Sequence, residues 1–194
     1  MDTAFATARR VASLIKSGKL SVLETTDFYI ARIEAFDDAL NAVVVRDFDR
    51  ARAQAKLLDR NKKKYAKLPP LYGVPMTVKE SFDVAGLPTI WGVEASRGNV
   101  AKTDAVAVAR FKAAGAVVLG KTNVPVMLAD WQSSNPIYGT TNNPWDVARS
   151  PGGSSGGSAA SLAAGFAALE AGSDIGNSLR DPAHYCGIYA HKPS

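Results

Sequence analysis

The stretch that decides the fold is SPGGSSGGSAASLAAGFAALEAGSDIGNSLRDP, residues 150–182. A glycine-serine cluster stands at each end, and small apolar residues fill the segment between them. Flexible linkers are polar throughout, so an apolar middle argues against a linker. Because residues 158–171 are apolar on nearly every side, they predict a buried helix that carries a serine-containing loop at each end. The chemistry of this stretch depends on which of its serines is activated.

The composition restricts the class of protein. With 194 residues, 46% hydrophobic and 21% charged, the chain predicts a soluble globular domain or a large part of one. The net charge of +5 comes from dispersed lysines and arginines, and the run Lys62–Lys64 is typical of a solvated loop. We therefore expect no nucleic-acid partner. A single cysteine, Cys186, excludes an intrachain disulfide and a cysteine-rich zinc site.

The same features predict location and cofactor use. The N-terminus lacks a signal-peptide pattern, and no run of about 18 apolar residues is present, which predicts a protein without a membrane partner. One cysteine suits a reducing cytoplasm. We expect neither a metal ion nor another cofactor, and the sequence leaves a homodimer open.

The first 65 residues predict a helical layer. Apolar residues at helical spacing predict a helix over 4–17, which Gly18 ends. Ser21 and Glu24 have the spacing of a capping box. The helix after them is predicted to bury four apolar side chains, Leu23, Phe28, Ile30 and Ile33. A short β-prone run over 41–45 and an amphipathic helix over 47–60 complete this layer.

Residues 66–194 predict an α/β core, against which the helical layer packs. Strands predicted over 73–81 and 116–119 alternate with a helix predicted over 104–114. Helices that alternate with strands are typical of α/β layering. We therefore expect an α/β fold and a single domain over residues 1–194.

Two short matches to catalytic motifs lack their structural context. Residues 115–122, GAVVLGKT, match the phosphate-loop pattern, but the four residues between the glycines are themselves a predicted strand. Residues 152–156, GGSSG, match a nucleophile elbow followed by Asp174 and His184, but no predicted strand precedes them. We therefore expect neither nucleotide binding nor a Ser-His-Asp triad. Both histidines are interpreted as structural or surface residues, His184 and His191.

A serine without a histidine needs another base. A hydroxyl becomes a good nucleophile only when a neighbouring group takes its proton, and a neutral lysine can do so. Lys79 ends the apolar run 74–78, where desolvation lowers the pKa of an amine. The local pattern fits such a base and an ordinary ion pair with Glu80 equally well.

Four segments together resemble the amidase signature family, whose members are serine hydrolases of C–N amide bonds. They are GGSSGGSAA (152–160), GSDIGNSLRDP (172–182), GVPMTVKESFDVAGLPTIWG (73–92) and GKTNVPVMLADWQSSNPIYGTTNNPWD (120–146). The resemblance implies a mixed β-sheet core layered with helices on both faces. It also implies an enzyme that hydrolyses a small-molecule amide through an acyl-enzyme intermediate.

The resemblance assigns three catalytic roles. Ser178 stands at the position of the nucleophile, Lys79 at the base, and Ser154 at the serine that relays a proton between them. The peptide bond before the relay serine, between Gly153 and Ser154, is implied to be cis. Supporting roles are implied for Ser155, Asp174 and Arg180, and the oxyanion hole is implied to consist of the backbone N–H groups of Ile175, Gly176, Asn177 and Ser178.

Two features depart from the family pattern. Position 177 is asparagine where members usually have glycine, which predicts reduced or redirected activity. The chain also ends inside HKPS (191–194), which resembles an internal segment of the family, whose members are commonly more than twice as long. We therefore expect the N-terminal part of an amidase. A glutaminase subunit of a tRNA-dependent amidotransferase and a catalytically impaired, truncated paralogue stay open as alternatives.

Overall fold

The computed structural model describes residues 3–193, and its first part is largely helical. Helix α1 spans Ala8–Lys16, α2 spans Val22–Phe36, and α3 spans Phe48–Asn61, with strand β1 at Val43–Arg46 between α2 and α3. The Thr7 side chain caps α1 by accepting a hydrogen bond from the Arg10 N–H at 3.2 Å, so the helix begins later than predicted. Phe5, expected on this helix, lies in a preceding 3₁₀ turn and is 58% exposed.

The capping box predicted at the start of α2 is confirmed. Ser21 Oγ accepts a hydrogen bond from the Glu24 N–H at 3.0 Å, and the Glu24 carboxylate accepts one from the Ser21 N–H at 2.9 Å. The buried face of α2 differs from the prediction, because Phe28 is exposed whereas Tyr29 is fully buried. The core-facing row passes through Tyr29 and Ile33, and Phe28 lies beside it with its ring edge-on to Tyr29.

Four strands form the main sheet, in the order β1-β3-β2-β6. Strands β2 (Pro75–Lys79), β3 (Val117–Thr122) and β6 (Leu169–Ala171) are parallel, and β1 runs antiparallel to β3. The expected mixed sheet is therefore confirmed. Parallel strands require crossover connections, and these carry α4 (Val106–Ala113) and α5 (Gly156–Ala163).

Helices cover both faces of this sheet, as the resemblance implies. Side chains alternate along β3, so Val117 and Leu119 point to one face and Val118 points to the other. The first face packs with residues of α1, α2 and α3 and with Ala160 of α5, whereas the second packs with Val108 of α4. The segment predicted as a helical layer also contributes the strand β1 to the sheet.

The buried helix predicted over 158–171 is shorter than expected. Helix α5 ends at Ala163, and Gly165 adopts a left-handed φ of +68° that turns the chain. Residues 169–171 instead form β6, which pairs with residues 76–78 of β2. Because a run of small apolar residues fits a buried helix and a buried strand equally, the pairing with β2 decides the outcome.

Helix α6 (Arg180–Cys186) packs against α5, so the loops that precede these two helices lie side by side. A small hairpin of β4 (Ser134–Asn135) and β5 (Gly139–Thr140) completes the elements. Among the helices of residues 3–193, none combines the length and the apolar character that a bilayer-spanning segment needs.

Candidate active site

The two serine-containing loops meet at the carboxyl ends of the parallel strands. Lys79 is the last residue of β2, loop 172–179 follows β6, and loop 150–155 precedes α5. Three serines, Ser154, Ser173 and Ser178, line one open cavity of about 730 Å³. Its other walls include large apolar side chains, among them Trp91, Met127, Trp131 and Ile175. Open α/β sheets bind ligands at this edge, so the cavity is the candidate active site.

Lys79 and Ser154 are in direct contact inside the protein. Lys79 Nζ donates a hydrogen bond to Ser154 Oγ at 2.7 Å, and both residues are buried. The peptide bond between Gly153 and Ser154 is cis, as the resemblance implies. Lys79 Nζ also donates to Ser173 Oγ at 2.9 Å and to the Ser173 carbonyl at 3.4 Å. Lys79 is thus bound by serine oxygens rather than by Glu80, the alternative partner that the sequence left open.

The environment of Lys79 favours its neutral form. Burial lowers the pKa of the Lys79 amine to about 8, although the carboxylates of Asp174 and Glu170 act to raise it. An exposed lysine has a pKa of about 10.4, so near neutral pH a much larger fraction of Lys79 is unprotonated. Only the unprotonated amine can accept a proton, and this protonation behaviour suits a general base.

Asp174 holds the loop that carries Ser178. Its carboxylate accepts hydrogen bonds from the backbone N–H groups of Asn177 (2.9 Å), Leu179 (3.0 Å) and Arg180 (3.3 Å). The Arg180 guanidinium donates two more, at 2.9 Å and 3.0 Å. This guanidinium, followed by the backbone N–H groups, holds the pKa of Asp174 well below its usual range. Asp174 and Arg180 therefore make the kind of loop-holding contacts that the resemblance implies.

The backbone donors around Ser178 are not equivalent. Among the described residues, the N–H groups of Ile175, Gly176 and Ser178 donate no hydrogen bond, whereas the Asn177 N–H donates to Asp174. A donor already bound to a carboxylate is not free to stabilise an oxyanion, so the predicted set of four donors is reduced to three in this arrangement. Asn177 adopts a left-handed φ of +78°, which asparagine tolerates better than most residues.

Ser155 links the two loops. Its Oγ donates to the Ser173 carbonyl at 3.1 Å and accepts from the Ser173 N–H at 3.3 Å. Its backbone N–H donates to the Ser178 carbonyl at 3.1 Å. Any support that Ser155 gives to the nucleophile therefore acts through the backbone of the loop 172–179.

Sequence reasoning missed two residues near Lys79. Ser173 contacts the Lys79 amine, and its position directly before Asp174 in the second motif was a usable signal. Glu170, in β6, accepts hydrogen bonds from Thr122 Oγ1 at 3.0 Å and from Thr77 Oγ1. Burial raises the pKa of the Glu170 carboxyl to about 7. The sequence did mark Glu170, because it is the one charged residue in the apolar segment 158–171.

The motifs that the sequence set aside serve other purposes. Lys121, from the phosphate-loop match, lies within β3 and donates from a buried position to Thr89 Oγ1 at 2.8 Å. His184 and His191 are exposed and do not line the cavity. Within residues 3–193, no group of three or more histidine, cysteine, aspartate or glutamate side chains could hold a metal ion.

Comparison with known proteins identifies relatives along the chain. The family model described as amidase matches residues 24–194. One subunit of the glutamyl-tRNA(Gln) amidotransferase of Streptomyces coelicolor is 42% identical over 97% of this chain and 38% of its own length. The indoleacetamide hydrolase of Bradyrhizobium diazoefficiens is 42% identical over 94% of this chain and 35% of its own length. The solved structure of a fatty acid amide hydrolase superimposes with a TM-score of 0.89 at 30% identity, over 93% of this chain and 32% of that one.

The similarity covers most of this chain but only part of the relatives. The chain spans less than two fifths of the length of each of these three proteins. Within the matched region lie Lys79, Ser154 and the loop that carries Ser178. The chain therefore belongs to the amidase signature family.

Proposed function

We propose that this protein is an amidase that hydrolyses the C–N bond of a linear carboxylic acid amide. The observation that supports this proposal most directly is the 2.7 Å hydrogen bond between buried Lys79 and Ser154, beside the cavity that Ser178 also lines. A lysine with a lowered pKa next to a serine is a recognised way to activate a hydroxyl nucleophile. We infer that the chemistry resides in residues 66–194 and that residues 1–65 support it.

In the proposed mechanism, a proton moves along two serines to the lysine. Neutral Lys79 accepts the proton of Ser154 Oγ, and Ser154 Oγ accepts the proton of Ser178 Oγ. Ser178 Oγ then forms a bond to the amide carbonyl carbon, and the carbonyl electron pair moves onto oxygen. When the tetrahedral intermediate collapses, the C–N bond breaks and the relay returns a proton to the leaving amine. In the second half of the reaction, water forms a bond to the acyl carbon while its proton passes through Ser154 Oγ to Lys79. The ester bond to Ser178 Oγ then breaks, and the relay returns the proton to Ser178 Oγ.

The oxyanion is proposed to bind the free backbone donors of the second loop. The N–H groups of Ile175, Gly176 and Ser178 are candidates, since each is without a hydrogen-bond acceptor among the described residues. Removing a single donor of this kind typically lowers kcat by about 10²–10³-fold. Asp174 contributes indirectly, because it fixes the turn from which these donors project.

A second candidate function is a glutaminase that supplies ammonia to a partner protein. The similarity to the amidotransferase of Streptomyces coelicolor favours it, and the same three catalytic residues would serve. A reducing, cytoplasmic compartment is proposed for either function because the single cysteine, Cys186, is a buried free thiol. A homodimer stays a prediction. Release of ammonia from glutamine, together with co-purification of a second polypeptide, would favour the glutaminase.

Labelling with a fluorophosphonate probe tests the proposed mechanism. We expect the protein to be labelled at Ser178, and the label to be lost in Ser178→Ala, in Ser154→Ala and in Lys79→Ala. Ser13→Ala, which changes an exposed serine of α1 away from the cavity, is the matched control and should be labelled normally. A folded protein that takes no label, or a Lys79→Ala variant that keeps it, would contradict the proposed relay.

A further inference from the structure

The wall of the catalytic cavity is built from loops that are bonded to one another. The Trp91 carbonyl accepts a hydrogen bond from the Met127 N–H at 2.9 Å, which joins loop 88–92 to loop 126–131. Trp131 Nε1 in turn donates to the Gly176 carbonyl at 3.2 Å, which joins that loop to the one carrying Ser178. Two indole rings therefore line the same cavity as the proposed nucleophile.

Glu80 anchors the loop that carries Trp91. One carboxylate oxygen accepts a hydrogen bond from the Ile90 N–H at 2.7 Å, and the other accepts one from the Trp91 N–H at 2.9 Å. Trp91 has a left-handed φ of +53°, which is rare for a bulky side chain. Glu80 is completely buried, so these two bonds fix the backbone at the point where the indole leaves it.

Lys121 completes the anchor from the neighbouring strand. It is also completely buried, and its amine lies 3.9 Å from the Glu80 carboxylate. Lys121 Nζ donates to Thr89 Oγ1 at 2.8 Å and to the Pro88 carbonyl. Burying two charges is costly, and replacing such a pair by apolar residues is often neutral or stabilising. Contacts directed at consecutive residues of one cavity loop point to a role in positioning that loop.

The anchor and the proposed base share one strand end. Lys79 is the last residue of β2, and Glu80 begins the turn that follows it. Lys79 reaches Ser154, while Glu80 reaches the backbone of Trp91. The end of β2 therefore fixes the distance between the proton relay and the indole in the cavity wall.

We propose that Glu80 and Lys121 are positioning residues that hold Trp91 in the cavity wall, and that Trp91 selects amides carrying a flat aromatic group. This inference rests on the proposed amidase function. Trp91 is 38% exposed and Trp131 is 60% exposed, and both residues line the cavity. Rings that stack or meet edge-on gain binding energy beyond the area that they bury, which favours an aromatic substrate over an aliphatic one.

Two substrates and three tryptophan variants test the selectivity in the whole protein. Trp91→Ala is expected to lower kcat/KM for phenylacetamide about 10-fold, mainly through KM, and to change kcat/KM for acetamide less than about 2-fold. Trp91→Phe should retain most of the preference, because it keeps a ring. Trp145→Ala, which removes an exposed indole outside the cavity, is the matched control and should alter neither substrate. If Trp91→Ala lowers kcat/KM for phenylacetamide and for acetamide by the same factor, the proposal is overturned.

Variants of Glu80 and Lys121 test the positioning role separately. Glu80→Gln and Lys121→Met should lower kcat/KM for phenylacetamide and leave kcat/KM for acetamide nearly unchanged, as Trp91→Ala does. Glu80→Asp, which keeps the carboxylate, should lower kcat/KM for phenylacetamide less than Glu80→Gln does. If the protein hydrolyses neither amide and takes no fluorophosphonate label, the proposed function fails, but calorimetric binding still tests Trp91. In that case phenylacetamide should bind the protein more tightly than acetamide, and Trp91→Ala should abolish the difference. Equal binding of the two amides by the unaltered protein would overturn the inference, whether or not the protein is active.

Discussion

Replacing Asp174 by asparagine tests how the loop carrying Ser178 is held. The Asp174 side chain has no exposed surface, and its two oxygens accept hydrogen bonds from three backbone N–H groups and from the Arg180 guanidinium. In Asp174→Asn one acceptor becomes an NH₂ group, which faces the N–H groups of Leu179 and Arg180. Unfolding is therefore expected to become easier, and the loop is expected to lose its fixed shape.

The size of the effect follows from the kind of bond that is lost. Hydrogen bonds to a charged acceptor contribute about 1.5–3 kcal/mol each, and an unsatisfied buried donor costs about 1–3 kcal/mol. Because the remaining oxygen keeps some of its partners, we expect a total loss of about 3 kcal/mol. The Arg180 side chain is 55% exposed, so its ion pair with Asp174 is screened by solvent. Arg180→Gln should therefore destabilise the protein clearly less than Asp174→Asn does.

The pH dependence of the free energy of unfolding shows whether the negative charge of Asp174 causes the stabilisation. Since the pKa of Asp174 is held below its unfolded value of about 3.9, its stabilisation is complete above that pH and is lost as pH falls through the folded pKa. The difference in free energy of unfolding between the unaltered protein and Asp174→Asn should be constant above about pH 5 and should narrow below about pH 4.

Urea unfolding followed by circular dichroism measures both effects. Asp174→Asn should also lower kcat for the amide, because freeing the Leu179 and Arg180 N–H groups loosens the turn that places Ser178. If Asp174→Asn and Arg180→Gln cost equal amounts, or if the difference does not change with pH, the carboxylate does not hold the loop through the backbone donors.

Three further substitutions probe the site and its support. Asn177→Gly should raise amide turnover, because glycine suits the left-handed backbone and removes a side chain beside the nucleophile; an unchanged or lower kcat would contradict this. Glu170→Gln should move the acid limb of the pH profile of kcat/KM below its position near pH 8, since the Glu170 carboxylate raises the pKa of Lys79; an upward shift would refute the assignment. Gly157→Ala drives a Cβ into the Asn123 backbone nitrogen, so urea unfolding should show a free energy of unfolding lower by about 1–3 kcal/mol. A stable Gly157→Ala variant would show that this contact relaxes.

The catalytic residues could be found from the sequence only through the combination of distant motifs. The local pattern left Lys79 divided between a base and an ion pair with Glu80. The tertiary structure decides between them, because the loops that approach the end of β2 offer the two side chains different partners. Lys79 therefore reaches Ser154, and Glu80 reaches the backbone of Ile90 and Trp91. Periodicity carries no information about such a choice between partners far along the chain.

Other differences arise from tertiary contacts that local patterns do not contain. Residues 169–171 continue an alanine-rich run, yet they leave the helical path because β2 offers them a parallel partner. The N–H of Asn177 is one of four consecutive backbone donors, and only the position of the Asp174 carboxylate removes it from the set. The capping box at Ser21 was predictable, since both of its partners lie within four residues.

The contacts of Asn177 indicate which catalytic step is affected by having asparagine, and not glycine, at this position. Its φ is left-handed, and its N–H remains bound to Asp174, so the asparagine is accommodated without breaking the turn. The Lys79–Ser154 contact lies on other elements and does not involve this residue. An impairment caused by Asn177 should therefore lie in stabilising the oxyanion rather than in activating Ser178. Labelling by a fluorophosphonate combined with slow amide turnover would then identify an impaired amidase, whereas a protein that takes no label would have lost the relay itself.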